Sequence, residues 1–173
     1  MTKKQLLLIG CVLMTISAFS QNNIFEVARN GTIEDIKQLM SINPDTINKI
    51  NDKGYLPVTL ACYSGNEAVG LFLINHVENI NGDSKYGTPL MAAVFKGQIS
   101  LTHALLEAGA NPNIADSNKT TPLHYAVLIK SKPIIKLLVD YKADKTLKDN
   151  RGKTALDYAL MDTNESIIEL LKN

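Results

Sequence analysis

Apolar residues past position 22 fall in short clusters on a helical spacing, and the clusters themselves recur along the chain. Leu123, Ala126 and Val127 share one helix face at positions i, i+3 and i+4. Around them, Thr120-Thr121-Pro122-Leu123-His124-Tyr125-Ala126 aligns with Tyr55-Leu56-Pro57-Val58-Thr59-Leu60-Ala61, Gly87-Thr88-Pro89-Leu90-Met91-Ala92-Ala93 and Lys153-Thr154-Ala155-Leu156-Asp157-Tyr158-Ala159. The final alanines fall 32, 33 and 33 residues apart, and Ala28 lies 33 before Ala61. A glycine follows an aligned alanine at Gly31, Gly65 and Gly97. About eight residues further on comes an apolar pair: Leu39-Met40, Leu73-Ile74, Leu105-Leu106 or Leu138-Val139, with Leu170-Leu171 one residue early. Each period thus predicts two short helices joined by a tight turn. Thr88 and Thr121 suit the N-cap of the first helix, and Pro57, Pro89 and Pro122 follow at a position where a missing N–H costs nothing. Gly109 supplies a left-handed residue to end a second helix. A unit this small cannot bury its own apolar face, so its stability must come from stacking.

The pattern resembles the ankyrin repeat. Thr121-Pro122-Leu123-His124-Tyr125-Ala126 reproduces its T-P-L-H-x-A turn, and Gly109-Ala110-Asn111-Pro112-Asn113 its G-A-x-x-N exit. The resemblance covers residues 22–173 and implies an all-α solenoid of about five helix-turn-helix units. An N-terminal capping repeat would span 22–48, three further repeats 49–81, 82–114 and 115–147, and a C-terminal capping repeat 148–173. Departures mark where the pattern is under stress. Val77 and Lys142 stand at the Gly109 position, and a β-branched Val is poor at positive φ, so the second helix of the second unit is expected to end differently. Lys130 replaces the glycine between helices, and Ala155 replaces the turn proline. The first unit starts from Asn22-Asn23-Ile24-Phe25 without the turn motif, while Asp157, Asp162, Glu165, Glu169 and Lys172 let the last one face water. Both ends therefore read as caps.

The first twenty residues follow a different pattern. Lys3 and Lys4 precede an apolar stretch from Leu6 to Phe19, and Ala18-Phe19-Ser20 leads into the polar Gln21-Asn22-Asn23. This is the layout of a secretory signal peptide, residues 1–20, with cleavage expected between Ser20 and Gln21. The stretch is short against the ~20 residues needed to span a bilayer, so no stable membrane insertion is expected after cleavage. Leu8-Ile9-Gly10-Cys11 also resembles a bacterial lipoprotein box, but cleavage there would strand Val12, Leu13, Met14 and Ile16 at the start of the mature chain. A periplasmic or secreted protein is the expectation.

Composition narrows the function classes. Hydrophobic residues make up 45% of the 173, enough to exclude a disordered or collagen-like chain. Eighteen basic side chains against seventeen acidic ones leave no excess to hold a phosphate backbone by counterion release, so nucleic acid is not an expected partner. Removing the leader takes two lysines and brings the balance to −1. It also takes Cys11, leaving Cys62 with no partner for an internal disulfide.

Converging acids, bases and nucleophiles are not evident, so no catalytic residue, cofactor or metal is predicted. His76 and His103 fall in different second helices without the spacing of a zinc pair. The resemblance implies that His124 links its turn to a neighbour by hydrogen bonds. Cys62, next to the aligned Ala61, reads as a packed structural thiol, because reactive thiols need an exposed electropositive setting. Gly54, Gly87 and Gly152 are single turn glycines and form no phosphate loop. The basic run Lys142, Lys145, Lys148, Arg151 and Lys153 is interleaved with Asp140, Asp144 and Asp149, as in a solvated loop.

Partner-binding candidates come from one recurrent position. The resemblance implies a concave face built from turns and inner helices, and two residues past each aligned alanine stand Tyr63, Phe95, Leu128 and Met161. Stacking would line them into an apolar row, whose alternative fate is packing against neighbouring helices. Lys96 and Ile129 follow in the next column, and Tyr55, Tyr86 and Arg151 sit at turn tips. An apolar row with a polar rim fits a protein-binding surface. The expected function is a non-catalytic, monomeric protein-binding module. The competing reading is an inhibitor or immunity-type protein that blocks a partner enzyme through its turn tips.

Overall fold

A computed structural model of the chain describes residues 23–82 and 87–172. Helices come in five pairs: α1 (Ile24–Asn30) with α2 (Ile33–Ile42), α3 (Pro57–Ser64) with α4 (Glu67–Ile74), α5 (Pro89–Phe95) with α6 (Ile99–Glu107), α7 (Pro122–Leu128) with α8 (Lys132–Asp140), and α9 (Ala155–Met161) with α10 (Glu165–Lys172). Two or three residues join the members of each pair. First helices pack on first helices and second on second, unit after unit, so the molecule is an all-α solenoid. The leader expected at Met1–Ser20, its cleavage point before Gln21, and the turn-tip candidate Tyr86 lie outside the described residues.

Local chemistry sets the helix starts. Thr88 Oγ1 accepts from the Met91 N–H at 3.3 Å ahead of Pro89, and Thr32 and Thr154 close capping boxes with Asp35 and Asp157. The last capping box stands where Ala155 has replaced the turn proline. Packing then takes over along repeated columns. The aligned alanines Ala28, Ala61, Ala93, Ala126 and Ala159 are buried and allow close helix approach. Ile36, Val69, Leu101, Ile134 and Ile167 form a second buried column in the second helices. The core is accordingly a strip running along the stack.

Asparagines tie successive exits together. Asn48 Oδ1 accepts from Glu78 N at 3.1 Å, Asn81 Oδ1 from Asn111 N at 2.7 Å, and Asn113 Oδ1 from Asp144 N at 2.7 Å. The helix ends separate by side chain as the sequence requires. Gly109 takes φ 85° and lets Ala110 N reach Leu105 O, whereas α4 closes at Ile74 with Asn75 right-handed and Val77 outside the positive-φ set. Lys142 and Lys130 nevertheless adopt φ 65° and 58°. A left-handed backbone costs a residue with a Cβ about 1 kcal/mol. Lys142→Gly is therefore expected to stabilise the fold by about that amount, less the added entropy of the unfolded chain. A urea midpoint at or below the parent's would show that the Lys142 turn carries no such strain.

Candidate functional site

The row expected from the sequence lies at the solvent-facing end of the first helices. Tyr63 is 51% exposed, Phe95 48%, Leu128 52% and Met161 69%, while the aligned alanines two residues before them are buried in the core. Tyr63 and Phe95 lie nearly parallel, with centroids 6.4 Å apart and planes 9° off, and Tyr125 meets Phe95 edge-on at 5.7 Å. Lys96 Nζ stands 5.0 Å from the Tyr63 centroid, within reach of a cation–π contact.

Below this row a groove of about 510 Å³ runs between the turns and α3, α5 and α7. Its walls include Tyr55, Leu60, Met91 and Tyr125, with Arg29 and Lys53 at the margin. Turn geometry fixes these groups. Asn51 Oδ1 accepts from the backbone N–H groups of both Lys53 and Tyr55, holding the tip that carries them. Asp116 Oδ1 does the same for Asn118 and Thr120, and Asp149 Oδ1 for Arg151 and Lys153. The second carboxylate oxygen of each aspartate then accepts a phenol from the following helix, Tyr125 onto Asp116 at 2.6 Å and Tyr158 onto Asp149. Burial, reinforced by the Asp116 contact, pushes the Tyr125 hydroxyl well above its ordinary range. Hydrogen bonding raises the Tyr158 hydroxyl and holds the Asp149 carboxyl below the usual carboxylate range. These bonds tie each ring to its turn.

Among the described residues, Cys62 and the three histidines are held in packing or local contacts. Burial pushes the Cys62 thiol up to about 12, so it stays protonated and inert. His124 is buried, with Nδ1 facing the Thr121 N–H at 3.2 Å and Nε2 facing the Lys153 carbonyl at 3.0 Å. A carbonyl can only accept, so the neutral ring carries its proton on Nε2 and bridges the fourth and fifth units. His76, in the turn after α4, contacts the Phe72 carbonyl of that helix through Nδ1, and His103 faces Glu107 at 3.6 Å. Among the described residues no three His, Cys, Asp or Glu side chains gather as a metal site, and no helix is long and apolar enough to cross a membrane.

A family model described as ankyrin repeats, in three copies, matches residues 24–116 and 100–173. The chain belongs to the ankyrin-repeat family. It is 38% identical over 98 residues to Ankyrin repeat and SAM domain-containing protein 6 of Rattus norvegicus, a match covering 56% of this chain and 11% of that one. With Rabankyrin-5 of Homo sapiens it shares 46% over 55 residues, 31% of this chain and 5% of that one. The ankyrin chain thus spans about a tenth or less of the relatives it matches. Ankyrin repeats generally mediate protein–protein interaction and are usually non-enzymatic.

The ankyrin stack distributes the sequence candidates unevenly. Tyr55, Tyr63 and Phe95 meet in the main groove, with Lys96 over the Tyr63 ring. Leu128 and Arg151 line a second cleft with Tyr125 and Tyr158, and Met161 joins Leu128 further along. Ile129 instead caps the end of α7 and lies half-buried against the core. Reading the 63, 95, 128 and 161 column alone misses Tyr125 and Tyr158, three residues earlier on the same helix faces. Their signal was present in the recurrence of an aspartate nine residues before a tyrosine, Asp116 to Tyr125 and Asp149 to Tyr158.

Proposed function

We propose that this chain is an exported, non-catalytic binding module whose protein partner seats on the concave face formed by turns and first helices. One observation carries this reading: Tyr63, Phe95, Leu128 and Met161 stand about half exposed or more in one row, although the aligned alanines with Cys62, Val94 and Val127 already fill the core beside them. A preformed surface of this kind loses little ordering entropy on binding. The leader-like segment supports export, with a mature chain beginning at Gln21 in the periplasm. The reading in which turn tips plug a partner enzyme has less behind it, because Tyr55 is half-buried in the groove wall rather than projecting.

Exchanging Tyr63 and Phe95 together for aspartate tests the seat. Each aromatic anchor is worth on the order of 2 kcal/mol when desolvated in a complex, so the pair should abolish capture of a partner from periplasmic extract, read by mass spectrometry. Both side chains are exposed, and helical circular dichroism should be unchanged. Undiminished capture by a folded double mutant would sink the proposal, and loss on Arg151→Ala with capture intact in the double mutant would favour the turn tips.

A further inference from the structure

The two ends of the concave face differ in charge. Among the described residues that line the main groove, Arg29 and Lys53 are the charged ones and no carboxylate appears. Lys96 adds a third cation above the Tyr63 ring. Arg29 pairs with Glu26 at 3.0 Å, but both side chains stand well exposed, and such a pair does little to quench an approaching anion. Further along, Asp149 faces the second cleft beside Arg151, and Lys130 is paired across units with Asp162 at 2.8 Å. The local field at the main groove is therefore positive and that at the second cleft mixed. Low-dielectric aromatic walls strengthen it where it is positive.

We infer, resting on the binding-module reading, that the main groove receives an acidic peptide segment of its partner carrying one bulky apolar side chain. That side chain enters between Tyr55, Met91, Tyr63 and Phe95, where about 510 Å³ suits one aromatic or branched aliphatic group with its backbone. Flanking carboxylates then lie against Arg29, Lys53 and Lys96, and the mixed half of the face fixes the direction of the segment. A basic segment would meet Arg29, Lys53 and Lys96 and no carboxylate in the groove lining. A nucleic acid would need more positive charge than three side chains supply.

Panning a random peptide display library on the immobilised chain tests this directly. The expected enrichment is a net acidic peptide with a single Phe, Trp, Leu or Ile. Its synthetic version should bind about tenfold more weakly to the Lys53→Glu, Lys96→Glu double mutant, and more weakly in high salt. Both lysines are exposed, so the mutant should keep its helical circular dichroism. Neutral or basic enriched peptides, acidic ones indifferent to the charge reversal, or equal binding of an oligothymidine would overturn the assignment. If non-acidic peptides are enriched and their binding still requires Tyr63 and Phe95, the acidic assignment falls and the binding module stands. If wild type enriches nothing beyond what the Tyr63→Asp, Phe95→Asp chain does, both fall.

Discussion

Leu101→Ala is expected to destabilise the stack by about 3 kcal/mol, a large part of the roughly 5–15 kcal/mol that holds a domain of this size together. Leu101 is fully buried in α6, in the middle of the column Ile36, Val69, Leu101, Ile134 and Ile167. Its end occupies a notch in the preceding unit: a Cβ built on Gly70 would fall 2.7 Å from Leu101 Cδ2. Truncation opens a cavity at the junction of two units, and the first-helix row on the other side limits its collapse. The notch makes the prediction specific. Gly70→Ala alone gains about 1 kcal/mol of helix propensity but meets a locked Leu101, at a cost of about 1–3 kcal/mol. In the Leu101→Ala background the obstruction is gone, and Gly70→Ala should restore about 1–2 kcal/mol, because its methyl group partly refills the space. Urea unfolding of the four proteins gives the coupling, expected to exceed about 1 kcal/mol. Additive effects would mean that the two residues do not share the junction.

Repetition makes this architecture legible, because each unit must present the same close-packed alanine, the same capped helix start and the same apolar pair. A departure can then be read against its counterparts, which is how Val77 marks a helix that ends without a left-handed residue. The groove is less legible, since its walls come from three units and from columns that do not repeat chemically. Arg29 shares a column with the buried Cys62, Val94 and Val127, and yet it lines the groove. Tyr125 occupies the variable place of the turn motif, where Leu60 and Ala92 stand in earlier units. Its side chain becomes a wall through the Asp116 bond, a relation between two columns that a single-column reading does not test. Periodicity thus predicts what stacking requires of every unit, and the packing of neighbouring units decides which of the remaining side chains meet.

Exchanging His124 for phenylalanine should uncouple the fifth unit from the fourth. The substitution keeps an aromatic ring under the edge of Tyr158, whose centroid lies 6.1 Å away, so packing changes little. It removes three hydrogen bonds, those to Nδ1 from the Thr121 N–H and hydroxyl and that from Nε2 to the Lys153 carbonyl. The Thr121 N–H at the start of α7 loses its partner, and so does the Lys153 carbonyl at the start of the next turn. Leaving such groups unpaired costs about 1–3 kcal/mol each when buried, and about 3 kcal/mol in all is expected here, with the Lys153 carbonyl regaining some water. In a stack held by nearest-neighbour contacts the loss falls on one interface. Amides of α9 and α10 should exchange faster by one to two orders of magnitude, about tenfold for each 1.4 kcal/mol lost, while α3 and α4 keep their protection. The fifth unit supplies the control. Asp157 stands there in the place of His124 and caps its helix by accepting from Thr154 N at 2.8 Å. His124→Asp should therefore preserve the start of α7 and still release α9 and α10, because a carboxylate cannot donate to Lys153. Uniform loss of protection from α1 to α10 in both variants would show that His124 supports the core as a whole rather than joining two units.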